Sequence, residues 1–457
     1  MISKAARKKL ILSVFIGIGL LFTFQLSAAI DHIHFGSKGN PLQGLTVTWR
    51  GNYNKCSIKW GYTSSYEKGN AELDGRTEFG DKHSYLFDYT FPDPEPSKTI
   101  HYAFKEYNGP YECEKYSGDW TQDYTFQTST DVQSDHFTFI AGGDSRGESC
   151  ESRMPGWQAV TERLGTTTAD FYLCGGDLMI EGGNKQKWLD WYENGQRFLS
   201  QKLIYFSIGN HERYADPNVF NYLNQFTVPE NGNFSELYYS FEFGNAVFIS
   251  LSTEISSKTD KGKAFIDQET QWLTAQLKKY RGAEATHYKE WVIVTFHKPF
   301  FTIDKHMGEM TARIPSDETS DDYSKIWWKD LFDAYGVDVI INGHTHAYMR
   351  SIPLCLTGTG PGGTDITFND KGLWTEKPVK SVEYGNKKGQ GRLEVVAGGF
   401  GVNLLTEDKL PYKNEWFVNN YTLEFHYCEF KIDKNVLTMT AKRISDDRVI
   451  DQVTIKH

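Results

Sequence analysis

The stretch FYLCGGDLMIEGG, residues 171–183, decides how this chain folds. It begins with four apolar residues, stops at two glycines and then presents Asp177. A short continuous apolar run is typical of a strand buried on both faces. Paired glycines allow a sharp turn and a close backbone approach directly after it. The stretch therefore predicts a buried strand that delivers a carboxylate at its end.

Five further runs outside this stretch have the same shape, and helical segments separate them. The helices are predicted within QETQWLTAQLKKY (268–280) and YSKIWWKDLFDAYG (323–336). Buried strands alternating with helices predict an α/β fold. The further runs are HFTFIAGGD (136–144), LIYFSIGN (203–210), AVFISLS (246–252), WVIVTFH (291–297) and VDVIINGH (337–344).

The chain before residue 133 has a different character, because apolar and polar residues alternate in short segments with turn-rich sequence between them. Regular short strands of this kind predict a small all-β sandwich. We therefore divide the 457 residues into a β domain over 30–132 and an α/β domain over 133–457. The predicted strands are LTVTWRG (45–51), CSIKWG (56–61), HSYLFDYTF (83–91), TIHYAFKE (99–106) and DYTFQTST (123–130).

Residues 1–29 read as a secretory signal peptide. Four basic residues precede an uncharged run over 10–24, and the small residues Ser27, Ala28 and Ala29 follow. This order predicts export, to the medium, the periplasm or the cell surface. An uncleaved membrane anchor is the alternative. The oligomeric state is left open.

Charge and cysteine content set further limits. A net charge of −10 gives no basic footprint for nucleic acid. The six cysteines follow no zinc-finger spacing, and their pairing stays open, with Cys56 and Cys113 as one candidate pair.

Polar side chains stand where the buried strands end. Strand ends of an α/β sheet meet at one edge, so these side chains are expected to form one site. Carboxylate, amide and imidazole donors suit first-row metal ions, and there are enough of them for two ions that share a carboxylate. Two such ions would attract a phosphate group in spite of the acidic chain. The candidates are Asp144, Asp177, Asn210, His211, His297, His344 and His346.

These blocks resemble the calcineurin-like metallophosphoesterase superfamily and, more narrowly, the purple acid phosphatases. The segments WLDWYENGQRFLS (188–200) and DKHMGE (304–309) resemble that family's Trp-rich helix and substrate loop. The resemblance implies a four-layer αββα sandwich preceded by a fibronectin-III-like domain. The matching blocks are GGDSRG (142–147), GGDLMI (175–180), GNHE (209–212), VTFHKPF (294–300) and GHTHAYMR (343–350).

The resemblance also implies a function, a secreted phosphatase that hydrolyses phosphomonoesters through a hydroxide held by two metal ions. Asp144 and His346 would hold the first ion, and Asp177 would bridge both. The second ion would be held by Asn210, His297 and His344. His211 would stabilise the transition state or protonate the leaving group, and His306 would contact the substrate phosphate.

Two positions depart from the family pattern. The tyrosine that ligates ferric iron and gives the purple colour is replaced by Ile180, so the protein is expected not to be purple. Arg146 stands where many members of the wider superfamily have a metal-binding histidine. Its planar fork suits a phosphate oxygen, and pairing with a nearby carboxylate is the alternative. The metals are expected to be iron, zinc or manganese.

Two other functions remain open at this point. One is a phosphodiesterase or nucleotide pyrophosphatase of the same fold. The other is a non-catalytic surface binding protein, which the β domain and the weakened first metal position suggest. The retention of His211 and His306 argues against the second alternative, because neither residue is needed to hold metal.

Overall fold

The computed structural model describes residues 30–78, 83–107, 119–147, 153–234, 236–255, 259–310, 324–369, 371–376, 382–385 and 390–457. The predicted signal peptide, residues 1–29, and Cys113 lie outside this part of the chain. Within the described part, no helix combines the length and the apolar character needed to cross a bilayer.

The N-terminal region is all β and forms two four-stranded sheets. The sheets have the orders β1-β2-β6-β5 and β4-β3-β7-β8, and every pairing is antiparallel. The five strands predicted here are confirmed as β2, β3, β6, β7 and β8. Its strands are β1 (Ile30–Ser37), β2 (Leu45–Gly51), β3 (Lys55–Gly61), β4 (Gly69–Asp74), β5 (Arg76–Thr77), β6 (Tyr85–Thr90), β7 (Thr99–Glu106) and β8 (Tyr124–Gln127).

Cys56, on β3, corrects one expectation. It is a free, buried thiol, and its Sγ accepts a hydrogen bond from Trp49 Nε1 at 3.3 Å. Burial raises the pKa of the Cys56 thiol to about 12. The residue acts as a small core hydrophobe here and not as half of a disulfide with Cys113.

The following region contains two mixed sheets. Sheet I has the order β11-β10-β9-β19-β20-β21, and sheet II has the order β12-β13-β14-β15-β17-β16-β18. The strands are β9 (His136–Gly142), β10 (Phe171–Cys174), β11 (Ile204–Phe206), β12 (Tyr239–Phe243), β13 (Ala246–Ser250), β14 (Trp291–Thr295), β15 (Val339–Asn342), β16 (Tyr348–Ser351), β17 (Leu393–Ala397), β18 (Val418–Thr422), β19 (His426–Asp433), β20 (Val436–Arg443) and β21 (Val449–Lys456).

Helices cover the outer faces of both sheets. The helices are α1 (Pro155–Gly165), α2 (Lys185–Leu199), α3 (Phe220–Gln225), α4 (Asp260–Arg281) and α5 (Asp333–Tyr335), with short 3₁₀ turns at His211–Arg213, Pro361–Gly363 and Glu407–Lys409. The helix predicted over 323–336 is a π-helix at Ser324–Phe332 that continues into α5, so its pitch differs from the α-helix expected.

Side chains of the buried strands alternate between two apolar environments. On β10, Phe171 and Leu173 face the core between the sheets, while Tyr172 and Cys174 face the tryptophans of α1 and α2. On β13, Phe248 faces the same inter-sheet core, and its neighbours pack under α4. Strands buried on both faces explain why these segments are apolar without alternation. The layers are therefore helix, sheet, sheet, helix, as expected, with an all-β region in front.

Candidate metal centre

Both sheets deliver polar side chains to one shared edge. In sheet I, β9, β10 and β11 run parallel, and Gly142 pairs with Cys174, so these strands end at the same level. In sheet II, β13, β14 and β15 also run parallel. The loops that follow bring together the ligand candidates from five strands: Asp144, Asp177, Asn210, His297 and His344.

The backbone at three of these positions is strained. Asp144, Asp177 and His344 have φ angles of 66°, 57° and 70°, in the left-handed region that non-glycine residues rarely occupy. Gly176, just before Asp177, has a φ of 89°. Such conformations persist where the surrounding structure holds them, and they cluster at functional sites.

Close packing of glycines allows this edge to form. A Cβ atom on Gly143 would lie 3.3 Å from the Cα atoms of both Gly175 and Gly343. The loops after β9, β10 and β15 therefore approach each other backbone to backbone. The glycine pairs in the sequence signalled this approach correctly.

Four oxygen and nitrogen atoms converge at one point of the edge. His297 Nε2 lies 3.3 Å from Asp177 Oδ1, 3.1 Å from Asn210 Oδ1 and 3.2 Å from His344 Nδ1. Ligand atoms of Asp177, His297 and His344 all lie within 4.8 Å of one another. We call this cluster, with Asn210, the second metal position.

The imidazoles of His297 and His344 each have a ring nitrogen that points away from this cluster and donates a hydrogen bond elsewhere. His297 Nδ1–H donates to the carbonyl of Gly175 at 2.7 Å. His344 Nε2–H donates to Glu309 Oε2 at 3.2 Å. Each ring then turns its lone pair toward the cluster, which is the usual arrangement of metal-binding histidines. The donor set thus fits a metal ion.

Electrostatics favour a cation at the same point. Burial would raise the pKa of Asp177, but His297 outweighs burial and holds that pKa below its ordinary value. Burial would lower the pKa of His297, but the Asp177 carboxylate raises it to about 10. Metal ions compete with protons for such ligands, so an ion at this point would displace the proton that the Asp177 carboxylate favours on His297 Nε2, and that atom would then offer its lone pair.

Asp144 and His346 lie beside this cluster without completing a second one among the described residues. His346 Nε2 is 3.8 Å from Asp144 Oδ1. Asp144 is fully buried, and burial, followed by the charge on Asp177, raises its pKa to about 8. We call this place the first metal position.

Arg146 is the reason why the first metal position does not fit an ion well. Its Nη2 lies 3.2 Å from His346 Nε2, and its Nε lies 3.7 Å from Asp177 Oδ2. The arginine therefore pairs with a carboxylate, one of the two readings of the sequence, and it also lines the pocket. Ile180 offers no ligand atom.

The pocket above the cluster has a volume of about 280 Å³. His211 and His306 both line it. His211 Nδ1–H donates to the Ile180 carbonyl at 2.7 Å, which leaves Nε2 toward the pocket. His306 Nδ1–H donates to Glu309 Oε1 at 2.6 Å. All nine predicted site residues thus lie around one edge, and their roles remain predictions.

Three residues near the site were not singled out from the sequence. Glu309 links His306 to His344, Glu212 accepts hydrogen bonds from the Asp177 loop, and Tyr214 packs its ring perpendicular to His211 at 4.7 Å. Glu212 and Glu309 lie inside motifs that the sequence displays, GNHE and DKHMGE. No pattern in the sequence signals Tyr214.

Comparison with known proteins agrees with this geometry. Residues 130–348 match the family described as calcineurin-like phosphoesterase. Human acid phosphatase type 7 is 32% identical over 148 residues, which cover 32% of each chain. Purple acid phosphatase 18 of Arabidopsis thaliana is 30% identical over 247 residues, covering 51% of this chain and 49% of the relative. The chain thus spans less than half the length of these two relatives.

A solved structure shares the fold over most of the chain. Purple acid phosphatase PPD1 from yellow lupin (Lupinus luteus) seeds superposes with a TM-score of 0.67 at 18% identity, covering 94% of this chain and 74% of that one. The chain is therefore similar to the calcineurin-like phosphoesterases over residues 130–348, and it shares its fold with a purple acid phosphatase.

Proposed function

We propose that this chain is a metal-dependent phosphatase that hydrolyses phosphomonoesters in the pocket above the second metal position. The observation that carries the proposal is the convergence of four lone pairs, from Asp177, Asn210, His297 and His344. Two of these groups are imidazoles whose N–H bonds are already committed elsewhere.

A bound divalent ion would supply Lewis acidity toward a phosphoryl oxygen and would lower the pKa of the attacking water. The chain's own residues bind and orient the ester. His211 lines the pocket and, when its ring is doubly protonated, can donate the Nε2 proton to the leaving oxygen while Nδ1–H stays bonded to the Ile180 carbonyl. His306 lines the same pocket and can hold a phosphate oxygen, because Glu309 fixes its ring.

The names of the relatives support this choice of substrate. Two relatives and one structural neighbour are acid phosphatases by name. Ile180 supports a colourless enzyme, since isoleucine stands where the related enzymes have the iron-ligating tyrosine. The proposal retains export to the medium, periplasm or cell surface from the N-terminal sequence, and the prediction of two ions from the donor count.

Hydrolysis of p-nitrophenyl phosphate and of bis(p-nitrophenyl) phosphate tests the proposal. We expect faster turnover of the monoester, loss of activity on chelation, and recovery on adding Mn²⁺ or Zn²⁺. His211→Ala should reduce kcat by about 10²-fold or more, whereas His136→Ala, at an exposed histidine of β9, should not. Preference for the diester would favour a phosphodiesterase. Equal, negligible turnover by wild type and His211→Ala with metal bound would favour a binding protein.

A further inference from the structure

Arg146 occupies a buried place among groups that would otherwise bind the first ion. Its side chain is only 12% exposed. The guanidinium Nη2–H donates to His346 Nε2 at 3.2 Å, while His346 Nδ1–H donates to the Asn403 carbonyl at 3.1 Å. The only lone pair that His346 could offer a metal ion is therefore already used by the arginine.

The carboxylate shared by the two metal positions is engaged in the same way. Arg146 Nε lies 3.7 Å from Asp177 Oδ2, while Asp177 Oδ1 faces the second metal position. One oxygen of the bridging candidate thus faces a guanidinium and the other faces the histidine cluster. A divalent ion in the first position would stand against a fixed positive charge a few ångströms away.

We propose that the guanidinium of Arg146 takes the place of the first metal ion, so that this chain works with one resident ion at the second metal position. The arginine is a cation that cannot be removed by chelators or by raising the pH within the stable range. It keeps one positive charge beside Asp144 and the reacting phosphate where an ion would give two or three. The inference rests on the metal-dependent function proposed above and replaces its prediction of two ions.

The surroundings of Asp144 agree with a cation of this kind. Asp144 Oδ2 accepts a hydrogen bond from the backbone N–H of His344 at 2.7 Å. Among the described residues, Asp144 Oδ1 has no hydrogen-bond partner, and neither has Arg146 Nε. Each of these two buried groups can be satisfied by a water molecule.

Counting bound ions tests the inference directly. The full chain is stripped with chelator, dialysed against excess Mn²⁺ or Zn²⁺, and the metal per chain is measured by mass spectrometry. We expect one ion per chain in the wild type. For Mn²⁺, the paramagnetic resonance spectrum should be that of an isolated ion and not of a coupled pair. Two ions per chain with a coupled spectrum would overturn the inference.

Three variants sharpen the count. His346→Ala should still bind one ion, because His346 bonds to Arg146 in the wild type, whereas His297→Ala should lose that ion. Arg146→His removes the fixed charge and adds an imidazole donor, so it should raise the count to two. A fall below one ion in His346→Ala, with the circular dichroism and Tm of the wild type, would contradict the proposal. So would an Arg146→His variant that folds and still binds one.

The outcome for the inference can be separated from that for the proposed function. One ion per chain without hydrolysis of any phosphate ester would support the replacement of the first ion by Arg146 and would contradict the proposed phosphatase function. Two ions per chain with hydrolysis would support the phosphatase function and would contradict the replacement of the first ion by Arg146. Metal stoichiometry and turnover are therefore measured on the same samples.

Discussion

Glu212 connects the loop after β10 to the loop after β11 at the candidate metal centre. It is 1% exposed, and its two carboxylate oxygens accept three backbone N–H bonds. Oε2 accepts from Asp177 at 3.0 Å and from Gly209 at 2.6 Å, and Oε1 accepts from Leu178 at 2.7 Å. The glutamate thereby fixes the loop after β10 against the loop after β11, and it holds Asp177 and Asn210 in place at the second metal position.

Replacing this carboxylate should weaken metal binding. In Glu212→Ala three buried N–H groups lose their acceptor, and loss of a partner that orients a ligand typically costs 10- to 100-fold in metal affinity. We expect a weakening in that range by titration with Zn²⁺ against a competing chelator. Glu230→Ala, at an exposed glutamate, is the matched control. An unchanged affinity in Glu212→Ala would show that the loops hold their shape without it.

Tyr214 places an aromatic ring at the mouth of the pocket. The ring is 53% exposed and stands edge-on to His211, the residue proposed to face the leaving group. A contact between the Tyr214 ring and the aromatic ring of a substrate would contribute about 0.5–1.5 kcal/mol to the binding free energy. Tyr214→Ala should therefore raise KM roughly two- to tenfold for p-nitrophenyl phosphate and little for glycerol phosphate. Tyr288→Ala, at a tyrosine exposed outside the pocket, should change neither; equal effects of Tyr214→Ala on both substrates would exclude an aromatic preference.

At the scale of elements, the apolar runs of the sequence were the best predictors of the strands. Every run that ends in a ligand candidate became a strand, because a strand buried on both faces needs apolar residues at successive positions. The π-helix at Ser324–Phe332 was not predictable, since its apolar spacing also suits an α-helix. Nor was the link from Arg146 to His346, because a contact between residues 200 positions apart depends on the folded loops.

Strand β17 carries a buried carboxyl group, Glu394, that ties sheet II to the loop after β14. Its Oε1 accepts from the backbone N–H of Phe300 at 2.9 Å, and the residue is 0% exposed. Burial raises the pKa of Glu394 to about 8, from an ordinary value of 4.5. Between these pH values the folded chain holds a proton that the unfolded chain releases. The contribution of Glu394 to the free energy of unfolding is therefore complete below about pH 4.5 and is lost as the pH rises toward 8.

Glu394→Gln should make the free energy of unfolding depend less on pH between about pH 4.5 and 8. Glutamine keeps an oxygen for the Phe300 N–H and cannot titrate. The free energy of unfolding of the wild type, relative to the variant, should fall by up to about 1.4 kcal/mol per pH unit across the window. Urea unfolding at pH 5, 6.5 and 8 measures the difference. Glu284→Gln, at an exposed glutamate, should run parallel to the wild type; a parallel profile for Glu394→Gln would mean that Glu394 ionises normally.

At the scale of the whole molecule, the β region and the sandwich share one apolar core. Phe35 of β1, Leu203 beside β11 and Phe171 of β10 belong to the same buried cluster. Phe35 and Leu203 also form a β-bridge. Polar contacts cross the same boundary: Gln196 Nε2 donates to the Ile33 carbonyl at 3.0 Å, and Tyr102 OH donates to the Ser200 carbonyl at 3.0 Å. We therefore expect both regions to unfold together.

Tyr102→Phe tests this coupling. The variant keeps the buried ring and removes only the hydroxyl, which leaves the Ser200 carbonyl without that donor at a cost of about 1 kcal/mol. Calorimetry should show a single transition in the wild type, and in the variant a single transition lowered by about 1–4 °C. Tyr53→Phe removes a hydroxyl from a tyrosine that is 39% exposed in the same region, and it should leave Tm unchanged. Two transitions, with Tyr102→Phe lowering only one, would show instead that the β region unfolds independently of the metal-binding sandwich.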